Sequence, residues 1–135
     1  MTTTIAVYDW LNAQLTTATG VNVIHGNPDW GRPNTDVPLI AMRLVGLDFP
    51  SSLPRIGQQF NYVLLSIQFT LFARNEVELC TMCDAIATWL KSVSPTVNSE
   101  VLHLSEPRAE RYTPETQNEK ESHAMIFAIQ IRKSA

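Results

Sequence analysis

The chain holds 135 residues, 44% of them apolar and 17% charged, with 13 acids against 10 bases for a formal net charge of -3. That is the length of one domain with a sizeable core. It is too apolar for bulk disorder, and it lacks the basic excess of most nucleic-acid binders. Charge falls well below the about 25% typical of soluble domains, so part of the surface is expected to face something other than water.

Residues 4–17 read as a helix, with Ile5, Tyr8, Leu11 and Leu15 recurring at three- and four-residue steps on one face. Thr2, Thr3 or Thr4 can cap its start, and Gly20 can end it in a left-handed conformation. Residues 21–25 form a short strand. Residues 26–38 hold three prolines, two glycines, two asparagines and two aspartates, which makes a long loop carrying Trp30. Residues 39–47 form a strand that is apolar on both faces except at Arg43, and residues 49–57, with Pro50 and Pro54, form a second loop. The longest strand spans residues 60–73. There Leu65, Ile67, Phe69, Leu71 and Ala73 share one face and Ser66, Gln68 and Thr70 the other, and one end is expected to overhang the sheet.

Asn75 is placed to cap a second helix running to about Val93, with Glu76 and Glu78 in the turn where the helix dipole favours negative charge. Its apolar stripe is Leu79, Met82, Cys83, Ile86, Trp89, Leu90 and Val93, and Pro95 prevents continuation. Two strands, residues 101–110 and 122–132, close the chain around a polar turn at 112–121. The order α-β-β-β-α-β-β has too few helices for the crossovers of a doubly wound sheet. The expected fold is therefore a single α+β domain over residues 1–135: a mainly antiparallel sheet with two amphipathic helices on one face.

Little in this chain carries chemistry. Cys80 and Cys83 have the spacing of a redox or metal pair, but Cys80 lies about five residues past the helix cap, with Glu76 and Glu78 upstream. Both features disfavour a thiolate, and i, i+3 positions within a helix suit a disulfide poorly. Core filling is the preferred reading, and a small Cys-dependent metal or redox enzyme is the weaker alternative. Two cysteines do not make a secreted scaffold, and the Met1-Thr2-Thr3-Thr4 start shows no signal-like region, so a reduced, intracellular setting is expected. His25, His103 and His123 do not pair at metal-ligand spacing, and no nucleophile elbow, zinc-protease helix or phosphate-binding glycine loop occurs. No apolar run is long enough to cross a membrane as a helix. No enzyme activity, cofactor or metal is expected. Seven arginines against three lysines, interleaved with glutamates, fit a protein interface better than a phosphate-binding surface.

The order and spacing of segments resemble the small tail-terminator, or tail-completion, proteins of tailed bacteriophages, including the lambda-type minor tail protein. The resemblance rests on the N-terminal helix, the proline-rich loop into Val37-Pro38-Leu39-Ile40-Ala41-Met42-Arg43-Leu44, and the block Leu65-Ser66-Ile67-Gln68-Phe69-Thr70-Leu71-Phe72-Ala73-Arg74. The helix at 75–91 follows, and then a hairpin with Arg111-Tyr112-Thr113-Pro114-Glu115 before Ala124-Met125-Ile126-Phe127-Ala128-Ile129-Gln130-Ile131. It implies a non-enzymatic virion protein, assembled in the host cytoplasm, that forms a homo-hexameric ring on the end of the tail tube. The ring stops tube polymerisation and presents the head-attachment surface. Its implied partners are itself, the tail tube protein and the head-tail connector or neck proteins, with no membrane and no specific nucleic-acid binding, although DNA is free to pass through the ring. Another head-tail joining or neck protein is the alternative. On this reading Arg55, Arg108, Glu110 and Arg111 are expected to make polar ring or tube contacts, and Trp30, Phe49, Leu53 and Ile56 apolar ones.

Overall fold

A computed structural model describes residues 2–26, 38–49, 62–112 and 123–134. Helix α1 (Thr4–Thr19) starts where the Thr3 side chain accepts a hydrogen bond from the Ala6 N–H at 3.2 Å. It ends at Gly20, whose φ of 68° lets its N–H reach the Thr16 carbonyl at 2.9 Å. Its buried stripe is Val7, Leu11 and Leu15. Ile5, expected on that stripe, is 62% exposed. Both patterns share Leu11 and Leu15, and the four-residue steps from Val7 keep closer to the helical period.

Strand β1 (Asn22–His25) lies parallel to β2 (Leu39–Asp48), with residues 26–38 as a connection long enough for a parallel crossover. β2 then pairs antiparallel with β3 (Tyr62–Ala73), and β3 with β8 (His123–Ser134). Odd-numbered residues of β3 from Val63 to Ala73 point toward the helices and are buried, with Phe69 stacked on Phe127 of β8 at 5.1 Å between ring centres. Helix α2 (Glu76–Ser92) is capped by the Asn75 side chain, which accepts from the Glu78 N–H at 2.8 Å. It buries Leu79, Met82, Ile86 and Trp89 in the same core, and the Trp89 indole N–H donates to Gln14 on α1 at 3.0 Å. The α+β class and the placing of both helices on one face follow the sequence expectation.

The strand expected over residues 101–110 is broken into pieces. β4 (Thr96–Val97) and β5 (Glu100–Val101) form a small separate hairpin around Asn98 and Ser99, both at positive φ. Two successive left-handed residues match the twist of a tight hairpin. β6 (His103–Leu104) and β7 (Arg108–Tyr112) then both pair with β8. Pro107 between them has no N–H to give to a ladder. Ser105 bridges the gap: its N–H donates to the Gln130 carbonyl and its hydroxyl accepts from the Gln130 N–H, both at 2.9 Å.

On the face away from the helices, Leu39, Ala41, Phe72 and Ala124 form a second buried cluster, with Ile24 packed against it. The strand expected to be apolar on both faces is thus covered on both faces over its first half, without recourse to anything outside the chain. Leu39 through Met42 and Ala124 are buried within the lone chain.

Candidate assembly surface

The sheet has two outer borders. On one, β1 covers β2 only at Leu39–Met42, so the rest of β2 has no strand beside its outer edge among the described residues. On the other, β7 pairs with β8 on its inner side and has no strand beside its outer side among the described residues.

The free half of β2 is unusually apolar for an exposed edge. Leu44 is 38% exposed, Val45 51% and Leu47 41%. Its register against β3 shifts between Leu44 and Gly46, so Val45 is the extra residue of a bulge. Before the bulge Leu44 faces the helices opposite Ile67, and after it Leu47 does so opposite Leu65. Gly46 and Asp48 lie on the far face, opposite Ser66 and Leu64. The strand and its apolar faces follow the sequence expectation; which half stays exposed does not. The signal for it was a nearly charge-free run continuing past the point where β1 is too short to pair.

β7 carries three of the residues expected at an interface. Arg108 and Glu110 are exposed on the far face, with Arg108 Nε 3.5 Å from Glu110 Oε1. Arg111 points to the helix side and is already engaged. Its Nη1 and Nη2 donate to Glu76 Oε1 and Oε2 at 2.9 and 2.8 Å, joining β7 to the first turn of α2. The guanidinium hydrogen bonds hold the Glu76 carboxyl below its ordinary range. His123 Nδ1 lies 3.1 Å from Glu76 Oε2 and 3.0 Å from Arg111 Nη2. That nitrogen can donate to the carboxylate or accept from the arginine, not both at once. Phe49 stands at the end of β2, while Trp30, Leu53, Arg55 and Ile56 lie outside the described residues.

Cys80 is exposed and Cys83 half-buried, both as free thiols. Burial is the main cause that pushes the Cys83 thiol pKa up, which disfavours the reactive thiolate. Among the described residues no three His, Cys, Asp or Glu side chains are grouped to hold a metal ion. His25 instead lies against the Tyr8 ring at 5.0 Å, with its Nε2 3.1 Å from the Asn12 amide nitrogen. No described helix is long and apolar enough to cross a membrane.

No protein-family model matches this chain, and no curated protein matches it. Among solved structures, it is similar in fold to a chain of the virion of a native gene transfer agent particle, with a TM-score of 0.50 and 14% identity. The likeness covers 97% of this chain and 93% of that one.

Proposed function

We propose that this chain is a structural virion protein that forms a ring on the end of a phage tail tube, stops its polymerisation and provides the head-attachment surface, without catalytic activity. The observation that carries this reading is a fold likeness spanning nearly the whole of both chains, to a component of a phage-like particle. The sheet's two open borders agree with it. A cyclic ring needs one patch on each subunit to meet a different patch on the next, and the borders supply two unlike patches.

Mass measurement with negative-stain imaging tests the ring. A species near six times 15.1 kDa with a central hole is expected. Tail length tests the position: particles lacking this protein should carry overlong, headless tails. A persistent monomer, together with tails of normal length, contradicts the reading. Normal-length tails that fail to join heads would point to a neck protein instead.

A further inference from the structure

We propose that the free half of β2 in one copy adds to the outer edge of β7 in the next, so that the sheet runs on between subunits; the partner is a second copy of this chain, and the inference rests on the ring reading above. The strand directions allow it. β3 runs opposite to β2, β8 opposite to β3 and β7 opposite to β8. A neighbour in the same orientation therefore brings its β2 alongside β7 antiparallel, with both helix layers on the same side of the sheet.

Charge selects the register. With Asp48 opposite Arg108 of the neighbour, Leu47 meets Ala109 and Gly46 meets Glu110, and, once bulged Val45 is passed over, Leu44 meets Arg111. Every pair then joins residues on the same face of the sheet. The smallest slip that preserves faces is two residues. One such slip sets Asp48 against Glu110 and the other sets it against Glu106, both like-charge pairs. The favoured register also places the Leu44 side chain beside the stem of Arg111, whose head is fixed by Glu76. It uses the two edges that would otherwise invite unspecific strand pairing.

This junction displaces each copy along the strands by about four residues, roughly 14 Å, relative to its neighbour. Such an offset closes into a ring only if the strands tilt against the ring axis, and otherwise climbs into a filament. Closure is thus a separate question from pairing, and the two can be read apart.

The test is a charge exchange in the full chain: Asp48→Arg, Arg108→Asp and the double variant, followed by sedimentation and negative stain. Each single variant should weaken assembly at least tenfold, and the double variant should return to within about threefold of the parent. Unchanged far-ultraviolet circular dichroism and melting temperature should accompany all three. In a Cys80→Ser background, Leu47→Cys with Ala109→Cys in one chain should give a ladder of disulfide-linked oligomers, and either change alone should not. Rings that persist in both single variants, or a double variant as weak as the singles, overturn the strand junction and leave the ring reading standing. Charge-rescued filaments without closed rings would keep the junction and overturn the ring. A parent chain that stays monomeric at every concentration overturns both.

Discussion

Glu100 shows how one side chain can fasten the end of β8. It sits on β5, where the backbone N–H of Ser134 donates to its Oε1 at 2.6 Å. The Ser134 hydrogen bond is the main cause that lowers its pKa from 4.5 to about 2, with the Lys133 charge adding less, while its buried Oε2 has no hydrogen-bond partner among the described residues. A depressed acid contributes stability that is complete above its unfolded value and is lost as pH falls through the folded one. The contribution should therefore fade between about pH 4.5 and pH 2. In urea melts, Glu100→Gln should be less stable than the parent at pH 7, and the gap should close toward pH 2. A gap that stays constant across that range would show that the carboxylate charge is not what fastens β8. Glu76 is the contrasting case. Its carboxyl is also held below its ordinary range, by Arg111, but it is exposed, where solvent and salt screen such a pair. Its contribution to the stability of the fold is accordingly small.

At the scale of elements, α1 tests which apolar stripe governs. Leu11→Ala removes a fully buried side chain from the main core and should cost about 2–5 kcal/mol. Ile5→Ala acts on an exposed residue and should stay within about 0.5 kcal/mol. Equal losses in thermal or urea unfolding would restore the stripe read from sequence. For α2, Asn75→Ala should cost about 1 kcal/mol by leaving the Glu78 N–H without its cap. The second helix was legible because its cap, its acidic first turn, its apolar stripe and Pro95 all agree. The first helix was legible in extent but not in facing, since Ile5 and Val7 both precede the shared Leu11 and Leu15. The break-up of residues 101–110 was hidden because the Asn98-Ser99 turn has no glycine to announce it, and because a serine side chain replaces the backbone at the gap beside Pro107. The parallel pairing of β1 is set by tertiary contacts that no local pattern in 22–25 encodes.

For the whole molecule, the shortage of charge divides into two parts. One is internal: β2 from Leu39 to Met42 is buried on both faces, by the helices on one side and by the cluster around Phe72 on the other. The other, among the described residues, lies at the border of the sheet, where Leu44, Val45 and Leu47 stay partly open. Covering those three half-exposed aliphatic side chains would be worth about 1 kcal/mol each. Association itself costs several kcal/mol in lost freedom, so that burial does not by itself hold two copies together. Backbone hydrogen bonds along the joined edges and the Asp48–Arg108 pair must supply part of the rest. Weak junctions closed into a ring support one another, because the last contact forms within an already tethered assembly. Hydrogen exchange separates this from a purely side-chain contact. In the assembled protein, alternate amides within residues 43–48 and 108–112 should slow at least tenfold relative to the dilute monomer or to Asp48→Arg. Amides of β3 and β8, paired on both sides over most of their length, should be slow in every state. Assembly that leaves exchange at 43–48 and 108–112 unchanged would mean that the copies meet through side chains elsewhere and that both edges remain open in the ring.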